Sequence, residues 1–86
     1  MAKYNLFIKS SAAKEIEAVG SKRDRTRIAA RIGQLADDPR PAGCEKLSGQ
    51  EKYRIRQGQY RIIYSVKDEE LVVHVVKIGH RKDVYR

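Results

Sequence analysis

The stretch 53-YRIRQGQYRIIYSV-66 decides the fold. Two alternating runs flank Gly58-Gln59, and glycine at the first position of a two-residue loop suits a type II′ hairpin turn. That turn sets Gln57 opposite Tyr60, Arg56 opposite Arg61, Ile55 opposite Ile62, Arg54 opposite Ile63, and Tyr53 opposite Tyr64. Strand side chains alternate between faces, so Tyr53, Ile55, Ile62 and Tyr64 share one side. Arg54, Arg56 and Arg61 share the other. A slip of one residue would turn the arginines into the core, so the pattern itself selects the register. The same register puts Arg56 directly against Arg61. Facing like charges destabilise a strand pair unless something anionic relieves them.

Outward from the hairpin, 67-KDEE-70 reads as a charged turn and 71-LVVHVVKI-78 as a β-branched, buried strand that Gly79 ends. The tail 80-HRKDVYR-86 follows. On the N-terminal side, 3-KYNLFIK-9 alternates and predicts a strand. Ser10 and Ser11 offer an N-cap, and Ala12, Ile16 and Val19 recur at helical spacing up to a stop at Gly20. In 21-SKRD-24 Ser21 starts a capping box with Asp24 in the acidic place. Ile28, Ile32 and Leu35 then give one apolar helix face, and Pro39 and Pro41 close the segment. Arg23, Arg27 and Arg31 line a second face, one that could touch RNA or simply face water. The order β-α-α-β-β-β predicts an α+β fold: a mostly antiparallel twisted sheet with an N-terminal helical hairpin packed on one face.

The chain has 86 residues, 41% of them hydrophobic and 35% charged, which fits one domain over 1–86 with one modest core. Its formal net charge is +8. That excess points to nucleic acid, an acidic partner or an anionic membrane surface. No apolar run approaches the ~18 residues of a membrane span. The single cysteine, Cys44, cannot form an internal disulfide; with no signal peptide recognisable, this suits a reducing cytoplasm. Two histidines and one cysteine, widely spaced, give no metal-ligand pattern.

Three guanidiniums on one patch of sheet are matched to phosphate oxygens, and Lys52 and Lys82 extend the basic set. They bring no proton acceptor. The tail does: His80 can serve as acid or base near neutral pH, and Tyr85 as a base where positive neighbours lower its pKa. Arg81 adds a further cation beside them.

Together, 53-YRIRQGQYRIIYSV-66, the strand after it and 79-GHRKDVYR-86 resemble the RelE/ParE superfamily of bacterial toxin–antitoxin toxins. The Gly-His-Arg-x-Asp-Val-Tyr ending is similar to the RelE side, the ribosome-dependent mRNA endonucleases. The resemblance implies a cytoplasmic RelE-like toxin that enters the 30S A site and cuts mRNA by attack of the RNA's own 2′-hydroxyl. No metal or cofactor is then required. It implies Tyr85 as base, Arg61, Arg54 and Arg56 as charge stabilisers, and Arg81 on the phosphate or leaving oxygen, with His80 as the alternative acid. The best-known RelE pattern carries lysines where this chain has Arg54 and Arg56. Arginine stabilises charge equally well but does not exchange its proton. The implied partners are a RelB-like or other acidic antitoxin and the ribosome with its mRNA, with operator DNA reached only through the antitoxin complex. Two other readings share the fold: a ParE-like inhibitor of DNA gyrase, and a non-catalytic module that binds antitoxin and operator.

Overall fold

Alternation in 53–66 becomes two antiparallel strands, β3 (Lys52–Gln57) and β4 (Tyr60–Lys67), in a computed structural model that describes residues 3–47, 49 and 51–80. Their register is the one the sequence selects, from Tyr53 opposite Tyr64 to Gln57 opposite Tyr60. Gly58 has φ 60° while Gln59 stays at negative φ, as a type II′ turn requires. Before the hairpin come β1 (Asn5–Ile8), α1 (Ser10–Glu17), α2 (Lys22–Gln34) and a two-residue β2 (Glu45–Lys46). After it come a short 3-10 turn (Asp68–Glu70) and β5 (Val72–His80). The sheet order is β1-β5-β4-β3-β2, and only β1 runs parallel to its neighbour, β5.

One face of this sheet carries the core. Ile55, Ile62, Tyr64, Val66, Val73, Val75 and Ile78 meet Ala12 and Val19 from the first helical segment and Ile28, Ile32 and Leu35 from the second. Burying such side chains stabilises by about 1.5–3 kcal/mol each, and both helices use this face. α2 begins as its sequence indicates: the Ser21 hydroxyl accepts the Asp24 N–H at 3.2 Å. α1 does not use a serine cap. Its N-cap is Lys9, whose N–H still donates to Val75 O at 2.9 Å, so the end of strand pairing sets the helix start. α2 also stops before Pro39. Leu35, Ala36 and Asp37 already close tighter i→i−3 bonds, and Pro39 is buried beyond them.

β5 departs most from its apolar reading. Tyr64 pairs with Val75 and Ile63 with Lys77, so Val76 is an extra residue, a β-bulge. Val73 and Val75 face the helices, and after the bulge so does Ile78. The strand is therefore half-buried, and it runs through Gly79 to His80 instead of ending at the glycine. Past the end of β1, the Glu15 carboxylate of α1 takes over as the edge partner. It accepts the Ile78 N–H at 2.9 Å and Lys77 Nζ at 3.0 Å.

Loops are tied to the sheet by a polar hub. Asp68 accepts the Tyr4 hydroxyl at 2.6 Å and Arg40 Nη2 at 2.8 Å. Arg40 Nε donates to Tyr53 Oη at 3.0 Å, and the Tyr53 ring stacks on Tyr64 with centroids 5.8 Å apart. Buried Tyr64 donates its hydroxyl to Pro39 O at 2.7 Å, and burial pushes its pKa well above the usual tyrosine range. The Arg40 guanidinium, and then the Tyr4 hydroxyl, hold the Asp68 carboxyl down to about 2.

Two outcomes follow from these contacts. Tyr64→Phe leaves the Pro39 carbonyl buried without its donor, at about 1–3 kcal/mol, so thermal melts should fall by roughly 4–8 °C per kcal/mol. A depressed folded-state pKa gives stability that is present above the unfolded value and lost as pH falls. The Tm advantage of the wild type over Asp68→Asn is therefore expected at pH 5 to 7 and should vanish as pH falls from about 4 to about 2. A difference independent of pH across that window would show that the carboxylate's charge is not what the hub uses.

Candidate active site

The face opposite the helices is read directly from strand pairing. Across it, Lys52 lies beside Ser65, Ser65 beside His74, and His74 beside Phe7. In the next row Glu45 lies beside Arg54, Arg54 beside Ile63, and Ile63 beside Lys77. Arg56, Arg61 and Gly79 form the third row. Lys52, Arg54, Arg56 and Arg61 thus share the one face that no described helix covers, called the open face below, as the hairpin's alternation requires.

Their environments differ. Arg61 is only 4% exposed, whereas its partner Arg56 is exposed. Opposite Arg61 on the other side stands Gly79, which puts no side chain beside it. The facing pair is therefore one deep and one shallow guanidinium. A charge in so buried a position is costly unless its surroundings are polar or anionic. Arg54 lies between the two in exposure, and Glu45 holds it. The same carboxylate oxygen accepts Arg54 Nη2 at 2.9 Å and Nε at 3.3 Å. Arg54 first, then Arg56 and Arg61, keep the Glu45 carboxyl below its usual range. Glu45 thus feels all three arginines.

No motif in the sequence marked Glu45. It sits in 44-CEKL-47, which has no alternation to follow, and it reaches Arg54 only because two residues of β2 pair antiparallel with β3. An isolated acid a few residues before an arginine-rich strand was the available signal.

His80 goes elsewhere. It pairs with Tyr60, one residue from Arg61 along β4 and hence on the helix-facing side. Its ring meets the Tyr60 ring edge-on with centroids 5.5 Å apart. Beside it, a cavity of about 240 Å³ is bounded by Glu15, Val19, Tyr60 and His80. The bulge at Val76 causes this: without the extra residue, His80 and not Gly79 would share the arginine face. His80 is thus not brought together with Arg54, Arg56 and Arg61. Arg81, Lys82 and Tyr85 lie outside the described residues.

Comparison with known proteins gives this arrangement a family. The family model of the ParE toxin of type II toxin–antitoxin systems, parDE, matches residues 6–85. The mRNA interferase toxin RelE of Escherichia coli K12 is 32% identical over 82 residues, covering 92% of this chain and 84% of that protein. Toxin RelG of Mycobacterium tuberculosis is 33% identical over 58 residues, which span 64% of this chain and 64% of RelG. Among solved structures, the archaeal RelE–RelB complex from Pyrococcus horikoshii OT3 aligns with a TM-score of 0.82 and 29% identity over 94% of this chain and 97% of that one. Helical hairpin, sheet and sequence agree, and the chain belongs to the RelE/ParE superfamily as a RelE-like toxin of a type II toxin–antitoxin system.

Proposed function

We propose that this toxin is an endoribonuclease that cuts mRNA in the ribosomal A site and so arrests translation. The observation that carries the reading is the cationic sheet face, with buried Arg61 on β4 and Lys52, Arg54 and Arg56 along the neighbouring β3. Similarity to relatives named mRNA interferase supports it.

In the reaction, the 2′-hydroxyl of the nucleotide before the scissile bond loses its proton to a base and attacks phosphorus. The P–O5′ bond breaks, a 2′,3′-cyclic phosphate forms, and the departing 5′-oxygen gains a proton. Charge on the phosphorane is the main barrier, and fixed cations aimed at it lower that barrier most. Arg61, Arg54 and Arg56 take this role, and Lys52 and Lys82 hold flanking phosphates. Tyr85 is the base and Arg81 binds the phosphate or leaving oxygen, as the resemblance implies. His80, turned toward Tyr60, is a poorer candidate for the acid than its place in the sequence implies. The natural partner is an acidic antitoxin, since several structural neighbours are RelE–RelB complexes and this chain carries +8.

The matching family model is that of ParE, which keeps inhibition of DNA gyrase as a second reading. Primer extension on mRNA in a translating extract separates the two. Cuts at codon-defined positions that vanish without ribosomes are expected; a DNA-damage response with intact mRNA would favour gyrase. Arg61→Ala and Tyr85→Phe should each lower cleavage by about 10²–10³-fold with unchanged fold, and either variant being as toxic as wild type removes this mechanism. Glu45→Gln should split the constants. Freed of its counter-charge, Arg54 tightens RNA binding, while turnover at saturation falls roughly tenfold as its guanidinium loses orientation. Its Tm should move little, because the Glu45 end of the pair is exposed to water, which screens it.

A further inference from the structure

Most described arginines that hold the fold have a visible task. Arg25 donates to the Val19 carbonyl at the corner between the helices, Arg40 is fixed by Asp68, and Arg54 by Glu45. Three others converge without such a task. Arg27 and Arg31, one turn apart on α2, and Arg56 from the end of β3 line a single open groove of about 400 Å³. Ala30 gives it a low floor, and Gln34 and Gln57 add amide groups at its sides. Among the described residues no carboxylate lines it, and no ion pair engages Arg27, Arg31 or Arg56. Arg31 Nη1 donates only to the Gln34 amide oxygen, at 3.3 Å.

Arg23 belongs to the same helical stripe but lies outside the groove. The stripe is thus divided: one arginine faces water, and two meet the hairpin. Arg27 and Arg31 border an acid-free concavity from α2, and Arg56 borders it from the end of β3; cations so placed repel one another, and a chain of phosphates relieves that repulsion through bidentate contacts. A flexible single strand fits such an open groove, with the Gln34 and Gln57 amides available for contacts between its phosphates. Arg56 lies in both places, on the open face by register and in the groove by position.

We propose that this groove is a second RNA-backbone site, which grips ribose-phosphate around the hairpin end of the sheet while the open face engages the scissile phosphate. The inference rests on the reading of this toxin as an RNA-cutting protein, and its test is chosen to separate the two. The groove binds and does not cut, so its loss weakens affinity and leaves the chemical step alone.

The experiment measures binding of the full chain to a fluorescent 20-nucleotide poly(U) strand across a salt series, alongside cleavage in the translating extract. Arg27→Ala/Arg31→Ala should weaken poly(U) binding about tenfold and reduce the slope of log K against log salt by about 1–2, at about 0.7 for each phosphate no longer neutralised. Arg23→Ala should leave both within about twofold. In the extract, the double variant should need more ribosomes to reach half-maximal cleavage and then reach the wild-type plateau rate. Equal poly(U) binding by wild type and double variant overturns the groove. So does an equal loss from Arg23→Ala, which would mean diffuse charge, or a loss seen only with polyglutamate, which would mean an acidic protein surface. Intact mRNA with wild-type toxin, together with the expected loss of poly(U) binding, upholds the groove and removes the endoribonuclease reading.

Discussion

Everything in this molecule depends on the parity fixed by a two-residue turn at Gly58. A strand has only two faces, and a register slip of one exchanges them completely. With Gly58 at positive φ, Ile55, Ile62 and Tyr64 point to the helices and Arg54, Arg56 and Arg61 point away. The apolar side is what enforces the arrangement. Moving three arginines into the core would cost far more than the repulsion between Arg56 and Arg61 on the open face. The core thus stabilises a charge cluster that would not assemble unaided, and the site is a by-product of the same alternation that packs the protein.

The second parity decision is made in β5. Up to Val75 its inward residues match those of β4 without interruption; the extra residue Val76 then reverses them. Two consequences follow. Gly79 lands opposite Arg61, and His80 is directed to Tyr60 on the helix side. A β-bulge commonly re-aims side chains in this way. Glu15 completes the arrangement from α1, replacing the missing strand neighbour at Ile78. The position of a helix residue, the length of β1 and the orientation of β5 past its bulge are therefore one coupled unit.

These two decisions explain what could be read beforehand. The β3–β4 register was legible because its alternation mixes charge with apolar bulk, so only one phase is physically tolerable. Ile28, Ile32 and Leu35 were legible for the same reason at helical period. In 71-LVVHVVKI-78 both phases are nearly equally apolar, so nothing in the run marks Val76 as extra or predicts where His80 turns. Glu45 was hidden differently. Its partner Arg54 is fixed by a pairing of only two residues, and no period can be seen in a strand that short. Legibility followed contrast between neighbouring residues, and the parts of the site built by bulges and short edge strands had none.

Charge was the property least resolved by composition. A net +8 says that an anion will be attracted, not where. The structure sorts the cations by their neighbours. Arg40 and Arg54 sit on carboxylates and serve geometry: one joins Tyr53 to Asp68, the other fixes a guanidinium at the edge of the open face. Such pairs add little stability where they are exposed, yet they set direction. Arg61 is the contrary case, nearly buried. Arg27, Arg31 and Arg56 form a third kind, gathered around a concavity that no described carboxylate lines. An evenly cationic surface would hold a polyanion in any orientation. This division of arginines between held, buried and gathered positions gives the surface a direction, from the α2 groove around the hairpin to the open face. The RNA strand proposed above would, on that path, pass from the arginines of α2 by way of Arg56 to Arg61.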